Sequence, residues 1–463
     1  MSTFKIAFRN IFRNRRRSLL TVLAISVGAI AILLFGGFIT TIFRGVETTA
    51  VQRLGHLAVY KKGYFSYGTG NPSAYGIPKH EEVLALIRND AELKPMLRTA
   101  TTSVSIFGIA GNFAAEKSRT FIGVGVVPSE RDHMRSWDPY GFRLPNKTDL
   151  ADDDREGGII GIGLARTLGL CEALAIRDCE KAAAAETTDA TAEVAEDLKQ
   201  LAEAEKPADA AGDRDPRPRV DLLAATASGA PNVVTLRLRK AINQGAKELD
   251  DAFIGMHIDL AQRLVYGRGE KRVTGIVVQL HETKAMKPAR ARLERLFAER
   301  GLDLEVRDFT ELQPQYGQVV ALFGSIFTFL SIIMGTIVLF TVVNTMSMSV
   351  MERVNEIGTV RALGVRRAGI RRQFVAEGWV LGTIGATVGV VLAVVIAEIV
   401  NHSGLTWTPP TNAEPVPLYV LLRGAPLLVA WTWVGLIVMA TLAAFIPAMR
   451  AARMIIVDAL RHV

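Results

Sequence analysis

QPQYGQVVALFGSIFTFLSIIMGTIVLFTVVNTMSMSVM, residues 313–351, runs for 39 positions without a charged side chain. As a single helix at about 1.5 Å per residue it would extend roughly 58 Å. A bilayer hydrocarbon core of about 30 Å takes about 20 apolar helical residues. The run is therefore long enough to span a membrane with length to spare. The surplus is expected to continue outward as a stalk, with Gln313–Gln318 as a neutral loop before it.

Three further stretches lack charge: Ser18–Phe43, Gly378–Ala397 and Gly424–Met449. Four spans is the simplest count. The alternative, buried helices of a large soluble protein, fits poorly with 49% hydrophobic residues and a mean hydropathy of +0.24. A secretory signal has an apolar region of about 7–15 residues ending at small residues. The first stretch instead continues through Leu33, Leu34, Phe35, Phe38 and Ile39, so it reads as a retained anchor.

Lysine and arginine near span ends stay on the cytoplasmic side. Lys5, Arg9, Arg13, Arg15, Arg16 and Arg17 precede the first span; Arg353, Arg361, Arg366, Arg367, Arg371 and Arg372 follow the second; Arg450, Arg453 and Arg461 follow the fourth. Residues 398–423, between spans three and four, hold a single arginine and no lysine. All three basic segments share one side, so both termini are expected in the cytoplasm and residues 44–316 outside. The expected order is an interfacial amphipathic helix (1–17), spans at 18–43 and 317–350, a cytoplasmic segment (351–376), spans at 377–399 and 424–449 joined by an external loop (400–423), and a cytoplasmic tail (450–463). The net charge of +8 is accounted for by these juxtamembrane segments, which attract anionic lipid. No nucleic-acid-binding motif is present, so no nucleic-acid partner is expected.

The external region reads as α+β. Strands are expected at His56–Lys61, Thr101–Ile109, Ser118–Val126, Val273–Leu280 and Leu304–Phe309, and helices at Lys79–Met96 and Pro288–Arg300. Strand–helix–strand patterns at both ends imply one subdomain built from both, with a second inserted at about 130–270. Within that insertion lies an Ala/Glu-rich excursion, 172–206, with ten acids against four bases. It reads as an exposed helix or partly disordered stretch. The two cysteines, Cys171 and Cys179, could pair in an oxidising compartment. On one regular helix they would stand roughly 12 Å apart, too far for a bridge, and two separate thiols fit equally well. No catalytic constellation and no metal-ligand spacing appears.

Gly378, Gly382, Gly385 and Gly389 lie on one face of the third span, where small residues let another backbone approach. The spans hold no internal charge, which disfavours an ion path. No G-x-x-x-x-G-K-[ST] loop occurs, so this chain needs no cofactor of its own and any ATP must be bound by another chain.

The segment Met351-Glu352-Arg353-Val354-Asn355-Glu356-Ile357-Gly358-Thr359-Val360-Arg361-Ala362-Leu363-Gly364 is the most informative. Glu352 and Glu356 would share a helix face, a like-charge spacing that costs a few tenths of a kcal/mol and is compatible with a basic partner. A solvated juxtamembrane turn is the plainer reading. The segment resembles the cytoplasmic coupling region of FtsX/MacB-type ABC transporter permeases, E-R-x-x-E-I-G-x-x-R-A-x-G followed by I-x-x-x-F-x-x-E, here Ile370, Phe374 and Glu377. Ala7, Arg9, Asn10, Arg13, Arg16, Ser18, Leu19 and Thr21 are similar to that family's start, and Pro447-Ala448 with Ala459-Leu460-Arg461 to its close. The usual proline before the closing motif is absent: Ile456 stands there, with Asp458 as the acid.

The resemblance implies a non-enzymatic permease subunit. ATPase-coupling residues would be Glu352, Arg353, Glu356, Ile357, Gly358, Arg361, Ala362 and Gly364. Partners would be separate ABC ATPase subunits, a second permease subunit (the same chain or another) and, in some systems, a periplasmic adaptor or carrier. The place would be the bacterial inner membrane. The external region resembles that of lipoprotein-releasing LolC/LolE-type subunits, which implies release or export of a lipoprotein, lipid or other amphiphile. The alternative is an FtsX-like signalling subunit that activates a periplasmic cell-wall hydrolase.

Overall fold

The computed structural model describes residues 8, 9, 13, 15–68, 70, 72–142, 148–176, 215–267, 269, 271–408 and 415–455. Much of the expected amino-terminal amphipathic helix, most of the Ala/Glu-rich excursion, Cys179 and the closing segment 456–463 lie outside the described residues. The chain divides into two compact units. One comprises 1–45, 315–407 and 416–463, the other 46–314 and 408–415.

Among the described residues, four helices are long and apolar enough to cross a membrane: Arg15–Leu54, Pro314–Glu352, Arg367–His402 and Pro426–Arg453. They are called here the first to fourth spanning helices. The second begins at Pro314, so the neutral loop expected at Gln313–Gln318 is already helical. Proline at the start of a helix costs nothing there, because its missing N–H would have no acceptor. The third begins at Arg367 rather than 377, taking up ten residues expected in the cytoplasmic segment. Its first turns bury Ile370 and Phe374 (2% and 1% exposed), which extends the helix beyond the charge-free run.

The second unit is built on one nine-stranded mixed sheet. Its strands are β1 (Leu57–Lys61), β2 (Leu97–Asn112), β3 (Lys117–Val126), β4 (Gly157–Gly161), β5 (Arg219–Ala225), β6 (Pro231–Ile242), β7 (Phe253–His257), β8 (Gly275–Leu280) and β9 (Leu304–Asp308). The order is β3-β7-β4-β6-β5-β2-β8-β1-β9, and β3 also pairs with β2, so six strands close into a ring. Alternate residues point into it: Ile106, Phe121, Leu222, Leu236, Leu238 and Met256 are all at most 2% exposed. At Gly125, facing inward, a Cβ would stand 2.1 Å from the Ala261 Cβ; glycine there lets the helix Ile258–Tyr266 sit against the strands.

The expected pair of subdomains is corrected by this arrangement. Strand β2 is 16 residues long, long enough to serve both parts: Leu97–Ser103 pairs with β8 and Ser103–Asn112 with β3. A shared strand makes one sheet and one continuous core. The helix expected at Lys79–Met96 stops at Asn89. Asp90 ends it by accepting from the Glu92 and Leu93 amides at 3.1 and 3.0 Å, a local turn that competes with helix. Arg292 holds the Asp90 carboxylate at 2.7 Å.

Candidate functional site

The second spanning helix ends at Glu352, and the chain breaks at Arg353 (φ −110°, ψ 19°) before a short helix, Val354–Ala362. Gly364 at φ +95°, a region that suits glycine, turns the chain into the third spanning helix. The short helix is seated by its apolar side. Val354 and Ile357 (each 5% exposed) bury with Gly358, and Ile357 packs in the core that holds Val350, Phe374, Ala448 and Ala451. Arg361 donates from its guanidinium to the Met454 carbonyl, tying the short helix to the end of the fourth spanning helix.

Among the described residues, three ion pairs lie around the break. Arg353 and Glu377 meet at 3.0 Å with side chains only 6% and 4% exposed, joining the break to the third spanning helix. Glu352 pairs with Arg17. Glu356 accepts two bonds from the Arg13 guanidinium, at 2.6 and 2.8 Å, and this hydrogen bonding raises the Arg13 pKa above its ordinary value. The Arg13–Glu356 pair is exposed on both sides.

These contacts correct the reading of Glu352 and Glu356. They do not share an uninterrupted helix, because Arg353 breaks it between them, and each acid is neutralised within the chain. Their spacing therefore carries no demand for a basic partner. Of the residues expected to couple, Arg353, Ile357 and Gly358 are buried, and Ala362 and Gly364 are exposed. Sequence reasoning missed the apolar tip: Val360, Leu363 and Val365 are 38%, 81% and 41% exposed, beside exposed Arg366 and Arg367. The available signal was three large apolar side chains next to an arginine run, outside any span.

The four glycines of the third spanning helix face two neighbours. A Cβ on Gly378 or Gly382 would stand 2.3 Å from the Ala444 Cβ or 2.8 Å from the Ala440 Cβ, on the fourth helix. On Gly385 or Gly389 it would meet the Cβ of Ile25 or Ala29, on the first helix, at 2.8 or 2.5 Å. Ser26 Oγ also donates to the Gly385 carbonyl at 2.9 Å, a short-range bond that close backbone approach permits. No cluster of metal ligands occurs among the described residues.

Four helices long and apolar enough to cross a membrane, with a short helix between the second and third, are the architecture of a multi-pass membrane protein. Residues 328–456 match the family FtsX-like permease C-terminal, and this stretch of the chain is such a domain. The chain is similar to an uncharacterized ABC transporter permease of Methanocaldococcus jannaschii, 25% identical over 162 residues. That similarity covers 34% of this chain and 40% of the relative. Among solved structures, it is similar to the extracellular domain of the noncanonic ABC-type transporter YknZ from Gram-positive bacteria (13% identity, 54% of this chain and 99% of that chain, TM-score 0.29). It is also similar to the periplasmic region of MacB from Actinobacillus actinomycetemcomitans (14% identity, 57% and 94%, TM-score 0.29).

Proposed function

We propose that the chain is a permease subunit that takes up mechanical work from a separate ABC ATPase through the tip at residues 360–365. The observation that carries this reading is the apolar tip itself. Leu363 is exposed on a short helix that is otherwise firmly seated, and exposed apolar clusters of this kind mark interaction sites. ATP is bound by the partner. The charged residues of the segment act differently from one another: Arg353 and Glu377 lock the start of the short helix to the third spanning helix, Arg13 holds the short helix through Glu356, and Arg17 ties the end of the second spanning helix to the first through Glu352. A push on the tip then reaches the spanning helices as a unit rather than bending a loose loop.

The tip faces the cytoplasm in this proposal and the second unit faces outward. The arginine distribution supports that polarity. The site is the inner membrane of a bacterium, both termini are cytoplasmic, and a second permease subunit completes the assembly. The cargo is a lipoprotein, lipid or other amphiphile: the charge-free runs 18–43, 313–351, 378–397 and 424–449 offer no path for an ion but need none for mechanical work on the outer unit.

The test is purification of the tagged full-length chain from its native membrane. A co-purifying chain bearing a G-x-x-x-x-G-K-[ST] loop with ATP hydrolysis is expected, and Leu363→Glu should abolish the association while the chain remains folded. Association that survives this substitution removes the tip as the docking point.

A further inference from the structure

Charge is unevenly settled at the end of the bundle that carries the short helix. Its described acids are Glu352, Glu356 and Glu377, and each is held by an arginine of this chain: Arg17, Arg13 and Arg353. Asp458 lies outside the described residues. Arg361 donates to the Met454 carbonyl. The other charged groups described at this end, from Arg9 to Arg16, from Arg366 to Arg372 and at Arg450 and Arg453, are all basic. Of these, Arg366 and Arg367 are exposed and make no ion pair or side-chain hydrogen bond among the described residues.

Depth separates the arginines of the third helix. Its charge-free run, residues 378–397, is about 30 Å long as helix. That length alone fills a hydrocarbon core of about 30 Å, which puts Gly378 at the core edge, and the headgroup layer beyond it is about 5–8 Å deep. Arg371 and Arg372 lie roughly 9–10 Å from Gly378 along the axis, within a side chain's reach of that layer. Arg371 also lies over the Phe445 ring of the fourth helix, 5.8 Å from its centroid. Arg366 and Arg367, at the start of the helix, are roughly 17–18 Å from Gly378. They stand in water, about 10 Å past the headgroups.

Membrane lipid therefore accounts for Arg371 and Arg372 but not for Arg366 and Arg367. The latter two follow directly on Val360, Leu363 and Val365, the exposed apolar side chains of the tip. Gly364, at φ +95°, turns the chain between them, so apolar and basic groups stand within one turn of chain. An apolar patch rimmed by polar groups marks a contact with another protein, and arginine is among the residues enriched in such contacts. With its described acids already held, this end of the chain offers the two guanidinium groups no carboxylate of its own.

We infer that Arg366 and Arg367 form the charged rim of the docking surface around Leu363, and that the ATPase patch receiving them is an apolar hollow edged by carboxylates. This rests on the tip being the docking point and adds the chemistry of the partner. The two parts of the surface do different work. A buried apolar centre governs how long a complex lasts, whereas rim charges steer the encounter and govern how fast it forms.

The test uses the full-length chain in phosphatidylcholine nanodiscs, which supply no anionic lipid, and the ATP-hydrolysing chain that co-purifies with it. Association and dissociation rates are read separately. Raising salt from about 0.1 M to about 1 M shortens the screening length from about 10 Å to about 3 Å, and should slow association about tenfold, as loss of charge steering does. Arg366→Glu with Arg367→Glu should slow association as much already at low salt, with dissociation and thermal unfolding unchanged. Arg366→Lys with Arg367→Lys keeps the charge and should keep the rate; the paired glutamine variants should fall between. Leu363→Ser should do the converse, speeding dissociation about tenfold at an unchanged association rate. Association indifferent to salt and to the glutamates, while Leu363→Ser still weakens binding, overturns the acidic rim, leaves the docking point standing and assigns the arginines to lipid. Absence of a bound ATPase, or binding that survives Leu363→Glu, removes both.

Discussion

The second and third spanning helices are similar in length and apolarity yet are held in opposite ways. Across the apolar window of the third, 44% of residues are buried within the chain, against 11% for the second. Both contain glycine. On the third helix, every glycine of the stripe is pressed by a neighbouring Cβ or backbone atom. On the second, a Cβ at Gly317 or Gly324 would meet nothing within 4 Å. Glycine in an apolar helix thus marks close packing only where small residues oppose it, as Ala444, Ala440 and Ala29 do here. The second helix is tied down at its last turns, where Val342, Met346 and Val350 are buried, and at the Arg353–Glu377 pair just beyond.

That pair supplies the strongest way to break the contrast. Arg353→Met leaves a buried carboxylate without its guanidinium and should cost about 3–5 kcal/mol, read as thermal unfolding of the full-length chain. Adding Glu377→Leu should recover most of the loss, because two apolar groups need no partner. A double variant as unstable as the single one would mean that the pair does not act as a unit. Next comes Gly389→Ala, whose new methyl would lie 2.5 Å from the Ala29 Cβ and 2.8 Å from the Ser26 carbonyl oxygen. Neither is a flexible end that can swing away, so overpacking of about 1–3 kcal/mol is expected in the same measurement.

The spans, their number and the α+β character of the intervening unit were legible because charge-free runs and strand alternation are local properties. The closure of the ring was not. Strands β4 and β7 are only five residues long, and β4 buries all five of its residues, so no alternation advertises it. The partners of the acids were equally hidden: Arg13 and Glu356 are 343 positions apart, and spacing along a helix says nothing about such a pair. The glycine stripe was visible on the third helix, but only the opposing side chains distinguish it from the open glycines of the second.

Where the two helices meet the short helix between them, docking and strapping can be separated. Leu363→Ser removes an exposed apolar side chain and should leave thermal stability unchanged while weakening ATPase binding by about tenfold, a difference of about 1.4 kcal/mol. Stability that falls with it would make the tip part of the fold. Reversal of Glu352 and Glu356 to lysine breaks one half-exposed pair and one about a third exposed, each worth about 0–1 kcal/mol. High salt should mask the loss, because exposed pairs are screened; a salt-independent loss would show a buried role.

The smallest effect expected is at Gly324, and it is the one that sharpens the comparison most. Within this chain an added methyl there touches nothing, and replacing a helical glycine by alanine favours helix by about 0.8–1 kcal/mol in water. Gly324→Ala in the isolated full-length chain should therefore be neutral or slightly stabilising, opposite in sign to Gly389→Ala. The same substitution read in the complete assembly carries a separate message. If a second permease subunit lays a helix against this face, the methyl should loosen the pairing of the two subunits while the single chain keeps its stability. If lipid covers the face, neither measurement should move, and the openness of the second helix is then a property of the finished complex rather than of a subunit waiting for its partner.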